Sequence, residues 1–371
     1  MQSIAEKMSR EEKLSMQLRA LYRSYGYKYY RMSSFEPYDL YRENKNFLVN
    51  QSVLTFTDLD GRLMALKPDI TIGIAKNTGA EEKVKKLFYS EHVFRKLPGA
   101  SQFTEIKQMG LEYIGGGSGY PEAEVLTLAA RTLAAICDDY SLEVNHMGYI
   151  SACLEQMELP GDKQEELLAA LARKSAVDMQ LILADAHLTP AQMGVVTALT
   201  GLPADPYAAL DMLNGVCLNK AMTAAINELR VLLDAAAVCG FADKLRIEPS
   251  LLNDQEYYNG LVFQGYIKGL PHAVLSGGRY DKLLQRFDKQ QPALGFALYF
   301  NELQNAPNSS DPFDVDVLLL YDSEAPALVS RAASDLIEQG QTILVEKDIP
   351  EGIRAKSVCR VSEMLKAKED E

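Results

Sequence analysis

KKLFYSEHVFRKLPGASQFTEIKQMGLEYIGG, residues 85–116, decides how this chain is read. It holds two runs rich in aromatic and β-branched residues, KKLFYSEHVFRKL and FTEIKQMGLEYIGG, separated by a short loop at Pro98-Gly99. Such residues suit a pleated surface, and Pro-Gly punctuates it, so the stretch predicts two strands of an antiparallel sheet.

Working outward, the residues before it carry apolar positions at helical spacing (Ile4, Met8, Leu14, Leu18, Leu21, Tyr22) and then switch to a strand-like pattern after Gly26. SVLTFTDLDGRLMALKPD alternates and turns at Asp60-Gly61, a hairpin signal. On the other side, PEAEVLTLAARTLAAICDDY reads as a helix, with proline in its first turn and acids early. From Cys153 to Phe241, Leu, Ala and Met recur at 3.6-residue spacing, broken at Pro160-Gly161, Pro190 and Pro203, which predicts a wholly helical module inserted between strands. Strands resume at DKLRIEPSLL and in HAVLSGGRYDKLL and PALGFALYFNEL, while LLNDQEYYNGLVFQG, residues 251–265, reads as a strand ending in a tight turn. NAPNSSDPFD is a linker by composition, and beyond it VDVLLLYD and ALVSRAASDLIEQGQTILVEKD form one β-α-β unit with a helical tail.

The expected organisation is α+β: a core over residues 1–152 and 242–304, a helical insertion at 153–241, a linker at 305–314 and a partial α/β unit at 315–371. With 371 residues, 47% of them hydrophobic and 24% charged, the chain exceeds one ordinary core and has a globular composition. Its amino terminus lacks an apolar signal core and no 18-residue apolar run occurs, so a cytoplasmic protein without a membrane partner is expected. Five scattered cysteines without a C-x-x-C pair read as reduced core thiols, and four isolated histidines as structural residues, so no metal and no cofactor are expected. A net charge of -13 argues against a nucleic-acid partner.

Taken singly, Phe94-Arg95, Lys67-Pro68-Asp69 and Gly277-Gly278-Arg279-Tyr280-Asp281 are weak signals, readable as an ion-pair arginine, a loop and a turn. Their order carries information. LMALKPDITIGIAK, HVFRKLPGASQFTEIKQMGLEYIG, the helical insertion, EYYNGLVFQ, SGGRYDKL and ALGFALYFNEL together resemble the class II histidyl-tRNA synthetase core over residues 5 to 305. The resemblance implies an antiparallel sheet bearing the site, and a homodimer formed near the amino-terminal helix and following strand.

Synthetases of this kind hold the amino acid with an R-P-E-G-T loop, a Gln and a Glu after the second motif, and paired tyrosines. By this resemblance Asp69 and Thr71 fall on the loop, Gln108 and Glu112 on the second pair, and Tyr257 and Tyr258 on the tyrosines. A carboxylate pairs with an α-ammonium, and Glu112 with a phenol can grip both nitrogens of an imidazole. Arg95 is the remnant of the second motif.

The nucleotide side departs from the family. Active enzymes begin the tyrosine strand with R-G-L-D-Y-Y, where this chain has Asn253-Asp254-Gln255-Glu256, and the arginine of G-L-E-R-L becomes Glu302. Lys96-Leu97 replaces the acid of R-x-E, and Ile106 replaces the aromatic that stacks on adenine. Each lost arginine is worth about 2.7 to 4 kcal/mol to a barrier, so losing two slows adenylation by about four or more powers of ten. The carboxyl-terminal stretch from Val315 also supplies only part of an anticodon-binding domain, which implies no tRNA partner.

A synthetase-like chain with an amino-acid pocket and no nucleotide clamp is similar to the regulatory subunits of ATP phosphoribosyltransferase. That resemblance implies a non-catalytic protein in a hetero-oligomer with the short-form catalytic subunit, with L-histidine as effector. Three alternatives stand beside it: a divergent, active histidyl-tRNA synthetase, an inherited pocket with the regulatory histidine held instead at the interface with the catalytic subunit, and an amino-acid-binding scaffold acting on some other partner.

Overall fold

The computed structural model describes residues 8–48, 52–79, 83–96, 100–117, 119–252, 257–303 and 313–364. The chain divides into two compact units, Gln17–Ala306 and a smaller one of Met1–Met16 with Pro307–Glu371. The predicted linker falls largely, and Asn253 to Glu256 entirely, outside the described residues.

In chain order the elements are α1 (Arg10–Ser24), β1 (Lys28–Tyr29), β2 (Phe35–Pro37), α2 (Tyr38–Glu43), β3 (Thr55–Thr57), β4 (Leu63–Leu66), α3 (Thr71–Asn77), β5 (Val84–Lys96), β6 (Phe103–Gly115), α4 (Tyr120–Ala134) and β7 (Tyr140–His146). Six helices follow: α5 (Met147–Met157), α6 (Gly161–Ala172), α7 (Ala176–Ile182), α8 (Pro190–Thr200), α9 (Pro206–Gly215) and α10 (Lys220–Val238). Then come β8 (Leu245–Ile247), β9 (Leu261–Ile267), β10 (Leu275–Arg279), α11 (Asp281–Gln285) and β11 (Ala293–Tyr299). The smaller unit holds β12 (Val315–Leu320), α12 (Pro326–Glu338), β13 (Ile343–Glu346) and β14 (Ala355–Arg360).

The large unit is built on an eight-stranded sheet in the order β1-β5-β6-β11-β10-β9-β7-β8. Its six central strands are antiparallel to their neighbours, and the short edge strands β1 and β8 pair in parallel. The 85–116 stretch gives the two longest strands, paired in one register from Val84↔Gly115 to Lys96↔Phe103. Side chains alternate across a strand, so this register separates two faces. Phe88 and Phe296 lie on one face, where Tyr22 of α1 packs edge-on against both rings and its hydroxyl bonds Thr132 of α4 at 2.9 Å. Gly265 lets β9 approach Leu133 of α4 more closely than any side chain permits.

The helix starts obey local chemistry. Pro121 sits in the first turn of α4, whose Glu122 carboxylate accepts from the Gly119 N–H at 2.8 Å; Gly119 takes φ 95°, which suits glycine. Thr189 with Gln192 caps α8, and Asp205 and Asn219 cap α9 and α10. Between Met147 and Val238 the regular elements are all helical among the described residues. The hairpin at Asp60-Gly61 forms between β3 and β4, with Gly61 at φ 83°.

Four expectations need correction. Tyr257 and Tyr258 lie in a turn, and the strand begins only at Leu261, because the Asn259 side chain is drawn to Asp281 and its N–H to the Arg279 carbonyl. Tyr140–His146 is a strand that the helix-ending DDY concealed. The smaller unit is a three-stranded parallel sheet, order β13-β12-β14, since AKSVCR pairs with β12 before the helical tail; largely exposed, it has no apolar run to announce it. Of the cysteines, Cys153 is buried, Cys239 is exposed and the other three are intermediate, so only one is a core thiol. No helix among the described residues is long and apolar enough to cross a membrane.

Candidate functional site

The face of the sheet opposite α4 floors a cavity of about 550 Å³. Gln108 and Glu112 are four residues apart on β6 and therefore point to the same side, into this cavity. The β6–β11 register sets Gly295 against Glu112 and Tyr299 against Gln108, and the β5–β6 register sets Tyr89 against Gly110. On this face a Cβ at Gly110 would meet Tyr89, one at Gly278 would meet Tyr258 and one at Gly295 would meet the Glu112 carboxylate. Asp69 and Thr71 reach in from the start of α3, and Tyr257 and Tyr258 from the turn before β9.

Glu112 is 2% exposed, and each of its oxygens accepts one hydroxyl hydrogen bond: the Thr71 hydroxyl donates to Oε1 at 2.8 Å and the Tyr280 hydroxyl to Oε2 at 2.5 Å. Burial pushes its carboxyl up to about 8, against the opposing pull of these two donors. Asp69 accepts from the Ile72 N–H at 2.9 Å and pairs with Arg95 at 3.3 Å; burial still raises its carboxyl above the ordinary range. Arg95 is engaged on a second side, its Nε donating to the Pro68 carbonyl at 2.6 Å. Gln108 is 2% exposed and its amide nitrogen has no hydrogen-bond partner, a donor left open to the cavity.

The tyrosines form a cluster over this floor. Tyr257 lies 4.6 Å from Tyr258 and 5.9 Å from Tyr280, centroid to centroid. Tyr280 is fixed by its neighbour Asp281, which accepts from Ala293 N–H (2.9 Å), Asn259 Nδ2 (3.1 Å) and Arg279 Nε (2.8 Å). Arg279 in turn pairs with Glu122 at the start of α4 at 3.1 Å.

The structure thus brings together Asp69, Thr71, Arg95, Gln108, Glu112, Tyr257 and Tyr258 around one cavity. Glu302 is not in its lining; it sits in the 3-10 turn after β11 and accepts from the Asn301 amide at 2.7 Å. Asn253 lies outside the described residues. Sequence reasoning missed Tyr280, Tyr89, Tyr299, His272, Gln264 and Ser276 in the lining. Counting back by twos from Arg95 along its strand finds Tyr89, whereas Gln264 and Ser276 depend on pairing register, which no local pattern displays. Among the described lining residues Arg95 is the sole Lys or Arg, and no group of three or more His, Cys, Asp or Glu among the described residues is gathered as for a metal.

Comparison with known proteins agrees with this architecture. A curated protein named ATP phosphoribosyltransferase regulatory subunit from Moorella thermoacetica is 29% identical over 339 residues, 90% of this chain and 87% of its own length. A protein of the same name from Acetivibrio thermocellus is 25% identical, covering 92% of this chain and 84% of its own. Among solved structures, an ATP phosphoribosyltransferase regulatory subunit/histidyl-tRNA synthetase from Bacillus halodurans superposes with a TM-score of 0.77 at 22% identity, over 94% of this chain and 92% of that one. Histidyl-tRNA synthetase from Nostoc gives 0.70 at 16% identity, over 97% and 85%. The family model described as histidyl-tRNA synthetase matches residues 4–303, the sheet and its helical insertion together, and the chain belongs to the histidyl-tRNA synthetase family.

Proposed function

We propose that this chain is a non-catalytic regulatory subunit of ATP phosphoribosyltransferase, activating a short-form catalytic subunit in the first step of histidine biosynthesis and contributing to feedback inhibition by L-histidine. In this reading histidine occupies the cavity at Asp69, Thr71, Gln108, Glu112, Tyr257 and Tyr258. The protein is a homodimer through the class II type of interface and takes no tRNA. The curated relatives that carry the regulatory-subunit name over most of their length support the role.

One observation carries the reading: among the described lining residues the carboxyl groups that face the cavity are held by hydrogen bonds, while arginine and lysine are nearly absent. Glu112 is clamped by two hydroxyls and Gln108 keeps an open donor. The one guanidinium among the described lining residues, Arg95, is already committed to Asp69 and the Pro68 carbonyl. A triphosphate is held by arginine and lysine contacts worth about 1.5 to 3 kcal/mol each, and this cavity has few to offer. A sensor needs different affinity for its effector in the active and inhibited assemblies, and weak hold on the ligand carboxylate leaves room for that difference.

Histidine-dependent exchange of pyrophosphate into ATP discriminates this reading from an active synthetase. No exchange above background is expected, and robust exchange overturns the reading. Calorimetry with L-histidine on the wild type and on Glu112→Ala tests the pocket; unchanged affinity in the variant places the effector elsewhere.

A further inference from the structure

Glu112 is an unusual recognition group for an imidazole. Its two oxygens contact hydroxyls, its opposite neighbour in the sheet is Gly295, and the charged groups facing it are few. From the start of α3 come Thr71 and the carboxylate Asp69, itself paired to Arg95 of β5. Tyr89 of β5, Tyr257 and Tyr258 of the turn before β9, and Tyr280 stand around it as neutral phenols held far above their ordinary titration range by burial; Tyr299 of β11, raised by burial as well, and His272 line the same cavity. The two hydroxyl donors offset only part of the desolvation penalty of an anion in such a place, and the nearby Asp69 carboxylate adds to it, so the empty site favours the neutral carboxyl.

We propose that the site and a bound histidine share one proton, which Glu112 carries when the pocket is empty and which lies between its carboxyl and the imidazole when the pocket is filled. This rests on the reading of histidine as the ligand. The balance is complete: near neutral pH a protonated Glu112 meets a neutral imidazole, one proton serves both, and none enters from or leaves to solvent. With two protons the loaded pocket would hold a buried net positive charge, and with none a buried net negative one; both are disfavoured against the one-proton pair.

The consequence is a sign change in proton exchange. Below about 6.5 the free imidazole is charged and binding releases a proton. Above about 8 the empty-site carboxyl is ionised and binding takes one up. Affinity is therefore greatest between these values and falls about tenfold per pH unit on the alkaline side.

The test is calorimetry of L-histidine with the full chain at pH 5.5, 7.2 and 8.5, each in two buffers of different ionisation heat. Expected are release of a proton at pH 5.5, no net exchange near 7.2 and uptake at 8.5, with the uptake lost in Glu112→Gln. Tyr280→Phe, which removes a donor to the charged carboxylate, moves the alkaline limb to higher pH and keeps the proposal testable if Glu112→Gln does not fold. Binding that shows no uptake at pH 8.5, in wild type and variants alike, overturns the shared proton while leaving histidine as ligand. An absence of binding at every pH overturns both.

Discussion

Gly295 lies directly opposite Glu112 in the β6–β11 ladder, and a Cβ at that position would collide with Oε2 of Glu112 and with the Leu111 carbonyl. The glycine is required by the neighbouring strand's carboxylate. Gly295→Ala must push Glu112 away from Thr71 and Tyr280 or strain the backbone, and overpacking of this kind costs about 1–3 kcal/mol. Thermal melts should show that loss, and histidine titration a fall in affinity larger than the change in stability implies.

Burial of Glu112 makes stability depend on pH in a stated direction. Its carboxyl titrates near 8 in the folded chain against an ordinary value of 4.5, so the fold binds the proton more tightly than the unfolded chain does. This contribution is fully present below about 4.5 and is lost as pH rises to about 8. Asp69 is shifted in the same direction. Denaturant melts at pH 5.5 and 8.5 should show the wild type losing stability across that interval more steeply than Glu112→Gln.

Removing the partner of a buried carboxylate is costly. Arg95→Met leaves Asp69 without its cation and the Pro68 carbonyl without its donor, with an expected loss of about 3 kcal/mol at pH 7. Asp69 can relieve part of this by taking a proton, so the deficit should shrink at pH 5. A deficit independent of pH would mean that the pair contributes only packing.

Asp281 touches nothing in the cavity yet holds the turn that aims Tyr280 at Glu112. Asp281→Ala removes three hydrogen bonds to a charged group, each worth about 1.5–3 kcal/mol before relaxation. Intrinsic tyrosine fluorescence and histidine affinity should both change, and Tyr280→Phe should reproduce the affinity change with a smaller loss of stability.

How much of this was legible beforehand can be judged on particular residues. The 85–116 hairpin was, because its two runs are long, aromatic and joined by Pro-Gly, whereas Gln108, Glu112 and Arg95 on those strands were singled out only by the resemblance to the synthetase motifs. Tyr280 stood in a quoted motif but read only as part of a turn; its role depends on Asp281, Asn259 and Ala293 meeting from three segments, which no local pattern encodes. The strand at Ala355–Arg360 was hidden because a largely exposed edge strand has no buried face to set an alternation. Glu302, one residue in the replaced third motif, stands outside the lining because the chain leaves the sheet at Tyr299 and coils into a 3-10 turn.

The regulatory reading is tested most directly by the rate of phosphoribosyl-ATP formation by a short-form ATP phosphoribosyltransferase catalytic subunit, measured with and without this chain and then with added L-histidine. The account predicts a low rate for the catalytic subunit alone, a large rise on adding the chain, and suppression of that rise by histidine. A rate indifferent to the chain at saturating concentration would contradict it.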